Sequence, residues 1–336
     1  MKVISGGYTK KNSKGIYLSN YDSKFKKVGD PNLIINVENP TYLAIFDQTI
    51  ISIIKENGKG GIACYEFDNN QKKYTKISEL VYDQTPPAYV AVNPEHNLIF
   101  DANYHAGSIN LYSLSNKGKI ELLDQYSNTG KGIKPEQDSS HFHYVNLTPD
   151  GRLITCDLGT DEIILFDISK RKLDISEKIK VNLGFGPRHI IFHPNGKYFY
   201  CVGELGSSVK VFTYGSEIRE LATYPTIPSS FTEYNGTSAI KIAKNGKNLY
   251  VANRGFNSII VFKILNQGAT LEEIQNITTG GDFPRDFALN DDENVLLVGN
   301  QNSDNGTLYQ IKEDGTLKVI QEDIKFHEPT FVQFQK

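Results

Sequence analysis

Cysteine is scarce in this chain, with only Cys64, Cys156 and Cys201, widely spaced. An odd number at such spacings gives neither a disulfide framework nor a cysteine-built zinc site. Each sits in a strand-like run and reads as a buried, reduced thiol. Long apolar runs are missing too. No stretch approaches the ~20 apolar residues needed to cross a bilayer, and the opening MKVISGGYTKKNSKG lacks a signal-peptide core. The expectation is a cytoplasmic protein with no membrane partner. A basic excess is also absent: the formal net charge is -3 and no Lys/Arg stretch could track a phosphate backbone, so no nucleic-acid partner is expected. Tryptophan is absent, and aromatic area comes from 19 Tyr and 18 Phe residues. Together with the β-branched residues they favour pleated, half-buried surfaces over helices.

What is present is a repeat of about fifty residues. Its clearest copies are HYVNLTPDGRLITCDLGTDEIILFDI from His143, RHIIFHPNGKYFYCVGELGSSVKVFTY from Arg188 and AIKIAKNGKNLYVANRGFNSIIVFKI from Ala239. Weaker copies begin at Ala88 and Arg285. Each reads as a short strand, a tight Pro/Asn/Asp/Gly turn, a second strand, a polar loop and a third strand, with a fourth, weaker strand after it. That pattern describes a four-stranded propeller blade. First strands fall near Asn32, Tyr89, Tyr144, His189, Ala239, Asp286 and Thr330, which makes seven. The last copy, EPTFVQFQK, supplies one strand only. KVISGGY, GIYLSNY and the segment around Phe25 supply its missing strands from the other end of the chain. The expected fold is therefore all-β: a single seven-bladed β-propeller domain over 1-336, with its last blade closed by N-terminal strands plus the C-terminal strand. Without that pairing both ends would expose unpaired strand edges.

The innermost strand of each blade lines a propeller's channel, so polar residues there have no core to fill. Aligned on their turns, the copies put Ala88, His143, Arg188, Ser238, Arg285 and Thr330 in one column, with Lys241 three residues along its strand. The loops after the second strands contribute Glu204 in VGEL and Arg254 in ANRG. The chain has only six arginines, and Arg188, Arg254 and Arg285 are three of them. Arginine suits the oriented binding of carboxylate or phosphate. With Glu204, His141 and His143, these residues make a candidate anion pocket containing a proton-transfer group. The alternative is that they are channel residues bonded to water and to one another. His141 could orient His143 or cap its blade, and Glu204 could serve to neutralise Arg188. His189 and His193 read as packing or turn hydrogen bonds. The HxH of His141 and His143 lacks a third ligand beside repelling arginines, so no metal is expected. No phosphate-binding glycine loop opens a helix, so no nucleotide cofactor is expected either.

SSHFHYVNLTPDGRLITCDLGTDEI, GFGPRHIIFHPNGKYFYCVGELGSSVKVF and SAIKIAKNGKNLYVANRGFNSIIVF carry a family resemblance that spans essentially the whole chain. The sequence resembles the lactonase family of seven-bladed propellers, which includes bacterial 6-phosphogluconolactonases and fungal carboxy-cis,cis-muconate cyclases. The resemblance implies active-site roles for the histidine of the HxH stretch, the arginine of GPRH, the glutamate of the NEL-like stretch and the arginine of the NRG-like stretch. Here those are His143, Arg188, Glu204 and Arg254. The chain departs from the pattern at Lys241, where members commonly have His, and at Gly203, where they often have Asn.

The activity expected from the resemblance is hydrolysis of a small acidic lactone, with 6-phospho-D-glucono-1,5-lactone as the implied substrate. Lactone opening builds charge on the carbonyl oxygen, which Arg188 or Arg254 could stabilise. His143 or Glu204 could take the proton of an attacking water. Arg285 and Lys241 are then available for the distal anionic group, with His141 beside them as a further binding residue. The same groups could close a dicarboxylate onto a double bond, and a propeller can also be a non-enzymatic platform for a protein or small anion.

Overall fold

The computed structural model describes residues 1–335. Apart from three short 3-10 turns, its regular structure is all strand, arranged as seven antiparallel sheets in succession. This is the strand organisation of a seven-bladed β-propeller. One blade shows the local logic. The strand Pro187–Phe192 turns through His193–Gly196 into Tyr198–Gly203, where Gly196 adopts φ 70° and its N–H donates to the His193 carbonyl at 2.9 Å. A side chain at that φ would be strained, which is why glycine ends the HPNG turn. Ser208–Thr213 and Glu220–Pro225 complete the blade.

The chain divides into two compact units, one comprising Met1–Ser13, Tyr17–Leu33 and everything from Arg188 onward, the other comprising Lys14–Ile16 and Ile34–Pro187. The first holds the sheets that begin at Pro187, Gly236 and Pro284, and the closing sheet. In the closing sheet the C-terminal strand Pro329–Gln335 pairs antiparallel with Lys2–Gly7, with Val3 opposite Phe334 and Ser5 opposite Val332. Lys2–Gly7 pairs in turn with Gly15–Asp22, which pairs with the two-residue strand Lys27–Val28. The two ends of the chain thus build one blade, as the truncated repeat requires. Val3, Tyr21, Val28, Val332 and Phe334 of this sheet bury themselves against Ala288, Leu297 and Leu308 of the preceding one. Further along the same unit, Tyr200, Val211, Val251 and Phe262 form a second core.

The second unit holds the sheets beginning at Leu43, Tyr89 and Phe142. Tyr42, Tyr89 and Tyr144 line up across it, with ring centroids 4.1 and 4.8 Å apart. Inside the blade that begins at Tyr89, Asp101 is buried; it accepts from Asn110 at 2.8 Å and from the Tyr112 hydroxyl at 2.5 Å.

One strand differs from expectation. The segment near Asn32 is not the first strand of the first blade. Asn32–Asn36 pairs with Gly15–Asp22, and that blade's first strand is Leu43–Phe46. Asn32–Asn36 is followed by Val37, whose N–H donates to the Lys14 carbonyl at 3.1 Å, so the segment adds to the closing sheet. The count of seven is unaffected. All three cysteines are free and buried, and burial pushes the Cys64 thiol up to about 12.

Candidate active site

In the first unit, the sequence of each blade brings a polar residue to the start of its first strand and another just past its second. Arg188 opens one first strand and Glu204 follows that blade's second strand; Arg254 ends the second strand of the next blade. Their side chains meet. One Glu204 carboxylate oxygen accepts from Arg188 Nε at 2.8 Å and lies 2.8 Å from Arg254 Nη2. Arg188 is 2% exposed and Glu204 16%.

Arg188 is also tied to the surrounding backbone. Its Nη1 donates to the Ser238 carbonyl at 2.6 Å and lies 3.2 Å from His189 Nε2. Ser238 Oγ in turn donates to the Pro284 carbonyl at 2.7 Å, so Arg188, Ser238 and Pro284 tie three consecutive first strands together. Arg254 donates from Nε to Gly236 O and from Nη2 to Thr237 O, each at 3.3 Å. It also stands over the Phe283 ring, 5.1 Å from its centroid.

The electrostatics follow from this packing. Burial, with Arg254 adding repulsion, lowers the Arg188 guanidinium to about 9, while Glu204 opposes the shift. Arg188 therefore stays a cation at neutral pH. Burial works against an ionised Glu204, yet Arg254, Arg188 and Arg285 outweigh it and hold the carboxyl below its ordinary range. Two guanidiniums share one carboxylate, so the cluster keeps an excess positive charge.

Lys241 stands apart from that cluster as the ion-pair partner of Asp286, 3.9 Å from a carboxylate oxygen. Burial raises the Asp286 carboxyl in spite of Lys241. Arg285 bonds Gln301 Oε1 at 3.1 Å, and its guanidinium lies 5.4 Å from the Tyr8 ring centroid.

In the second unit, His141 and His143 are both buried around Tyr104. The His141 ring stacks on Tyr104 with centroids 4.2 Å apart, and His143 meets the same ring edge-on at 5.9 Å. His141 Nδ1 donates to the Tyr104 carbonyl at 2.8 Å, Nε2 faces Asp138 Oδ1 at 2.8 Å, and the backbone N–H donates to Asp157. Both ring nitrogens are thus engaged within the fold, which makes His141 a support for its blade end. His193 makes the expected turn contact, with Nε2 3.2 Å from the Gly246 carbonyl. Among the described residues no group of three or more His, Cys, Asp or Glu side chains could hold a metal ion, and no helix is long and apolar enough to cross a membrane.

Three site residues escaped the sequence reading. Tyr234 brings its hydroxyl to Gly236, where a Cβ would sit 2.9 Å from Tyr234 Oη, 3.1 Å from Arg254 Nη2 and 3.4 Å from Glu204 Cγ. Phe283 supplies the face under Arg254. Tyr8 belongs to a column that the strand pairing defines. The residue before each member of one column pairs with the start of a third strand: Asn103 with Ser108, Asp157 with Glu162, Gly203 with Ser208, Asn253 with Ser258 and Asn300 with Asn305. The column so defined is Tyr104, Leu158, Glu204, Arg254 and Gln301. In the closing blade Tyr8 holds the same place, directly after the second strand Lys2–Gly7.

The profile described as "Lactonase, 7-bladed beta-propeller" matches residues 2–334. The chain belongs to the lactonase family. Within it, an uncharacterised Lactococcus lactis protein, YwcC, is 40% identical, the alignment covering 98% of each chain. A Bacillus subtilis protein named 6-phosphogluconolactonase is 33% identical over 98% of this lactonase-family chain and 97% of its own. Among solved structures, the Pseudomonas aeruginosa periplasmic gluconolactonase PpgL is similar with a TM-score of 0.91 at 25% identity, covering 98% of each chain.

Proposed function

We propose that this lactonase-family protein hydrolyses a small acidic sugar lactone, with 6-phospho-D-glucono-1,5-lactone as its substrate. The observation that carries this reading is the pairing of Arg188 and Arg254 on the single carboxylate of Glu204. A water oxygen bonds to the lactone carbonyl carbon, and negative charge grows on the carbonyl oxygen. The excess positive charge of the cluster is the stabilising partner for that oxyanion. The ring C–O bond then breaks, the ring oxygen takes up a proton, and the product acid releases one to solvent.

Glu204 is a poor proton acceptor, because its carboxyl is held below the ordinary range by three arginines. Its role is to fix the two guanidiniums. We assign the proton-carrying role to His143, because imidazole is the side chain best suited to take up and release a proton near neutral pH. Arg285 and Lys241 serve the distal anion, and His141 supports its neighbour. A single-domain, cytoplasmic enzyme of carbohydrate metabolism belongs to the same proposal; the name of the B. subtilis relative supports its substrate class alone.

The test is base consumption at constant pH with freshly prepared 6-phosphogluconolactone. Turnover well above spontaneous hydrolysis, lost in His143→Ala, supports the reading. A wild-type rate equal to the spontaneous one removes it.

A further inference from the structure

The proposed reaction centre balances part of its charge through ion pairs, since Arg188 and Arg254 share Glu204. Arg285 does not. It donates to the neutral amide of Gln301, and among the described residues no carboxylate forms an ion pair with it. Its guanidinium lies instead against Tyr8, 5.4 Å from the ring centroid. Lys10 Nζ lies 4.3 Å from the same centroid and likewise has no ion pair among the described residues. A phenol ring thus lies beside two cations, neither of which forms an ion pair among the described residues.

Tyr8 owes its position to the far end of the chain. Its N–H donates to the Glu328 carbonyl at 3.3 Å, and the Glu328 carboxylate accepts from the backbone N–H of Lys10 at 3.3 Å and of Lys11 at 2.8 Å. Glu328 is buried and adopts φ 45°, a left-handed conformation that a glutamate takes only when its surroundings impose it. Gly7, just before Tyr8, packs so closely on Glu328 that a Cβ would fall 2.0 Å from its carbonyl oxygen. The strand pairing that closes the last blade therefore also sets Tyr8 beside Arg285.

We propose that Tyr8 is a substrate-binding residue, forming with Arg285 the subsite for a phosphate monoester at the end of the sugar lactone remote from its carbonyl. This rests on the lactonase reading above and adds the group that recognises the phosphate. A phosphate monoester carries about -1.5 to -2 charge at neutral pH and three acceptor oxygens. Arg285 and Lys10 supply two positive charges without an ion pair among the described residues, and Tyr8 supplies a hydroxyl donor beside them. A lone carboxylate would leave one charge unanswered. The lowered pKa of Tyr8, caused first by Arg285 and then by Lys10 against the effect of burial, agrees with a positive potential at that hydroxyl.

Tyr8→Phe removes the hydroxyl and keeps the ring between its cations, so the fold is retained. Two quantities are read for wild type, Tyr8→Phe and Arg285→Gln. One is the ratio of kcat/KM for 6-phosphogluconolactone to that for unphosphorylated glucono-1,5-lactone. The other is the ratio of Kd for gluconate to Kd for 6-phosphogluconate, by calorimetry. Tyr8→Phe lowers each ratio about ten-fold, the size of one hydrogen bond to a charged group, and Arg285→Gln lowers them further. Unchanged ratios in Tyr8→Phe overturn the subsite. If wild type hydrolyses neither lactone, the lactonase reading fails and calorimetry decides alone. A ten-fold fall in phosphate preference then supports the subsite, and equal or no binding of the two acids by wild type overturns it.

Discussion

Phe283 places its ring 5.1 Å from the guanidinium carbon of Arg254, and it does so from a left-handed backbone conformation with φ 67°. Two hydrogen bonds hold it there. Its N–H donates to Asn257 Oδ1 at 3.0 Å, and its carbonyl accepts from Gln301 N–H at 3.0 Å. A bulky residue before a proline would otherwise take an extended conformation, so the strain is imposed to seat Arg254.

The consequence separates stability from activity. Phe283→Ala keeps the strained backbone and loses the cation–π contact, while Phe283→Gly loses the contact and relieves a strain of about 1–3 kcal/mol. Thermal denaturation should find the glycine variant more stable than the alanine variant. Both should show lowered kcat/KM for the phospholactone. Equal melting temperatures, or wild-type kcat/KM in both, would disprove the seating role.

Asp101 gives a pH-dependent signature. Burial raises its carboxyl to about 7, despite the hydrogen bonds from Tyr112 and Asn110. The folded state then holds the proton more tightly than the unfolded chain, whose Asp titrates near ~3.9. Stability from this group is full below pH ~4 and is lost as pH rises through about 7. Asp101→Asn stays neutral throughout. The difference in Tm, variant minus wild type, should therefore increase between pH 5 and pH 8. A difference that is flat across that range contradicts the assignment.

The seam between the two chain ends is a third place to probe. Phe334 is buried, packs edge-on against Tyr21 with centroids 5.2 Å apart, and pairs with Val3. Phe334→Ala should cost about 3–5 kcal/mol of unfolding free energy, read by urea denaturation. A cost below about 1 kcal/mol would mean that the terminal strand frays like an ordinary chain end.

Much of this was legible because the blades repeat. Arg188, Glu204 and Arg254 stand out once the copies are aligned, since each occupies a position whose equivalents change freely from blade to blade while the surrounding apolar pattern persists. The first blade was misplaced because its opening strand Leu43–Phe46 passes straight through Asp47 into Thr49–Glu56, without the Pro/Asn/Gly turn that marks the other copies. Tyr8 was hidden for a different reason: its blade is split between the chain ends, so its column cannot be read from any continuous copy. Phe283 could not be foreseen at all, because local propensity for a residue before proline points away from the conformation it adopts.

If the Arg188–Glu204–Arg254 cluster provides the positive charge for lactone opening, Arg254→Gln must slow the reaction. The substitution leaves Glu204 paired with Arg188 and removes one guanidinium from the cluster. The measurement is kcat/KM for freshly prepared 6-phosphogluconolactone at constant pH, corrected for spontaneous hydrolysis, on protein shown by its melting curve to be folded. The expected result is a fall of about 10²–10³-fold, the usual cost of losing one oxyanion-stabilising donor. A folded Arg254→Gln protein with wild-type kcat/KM would contradict it.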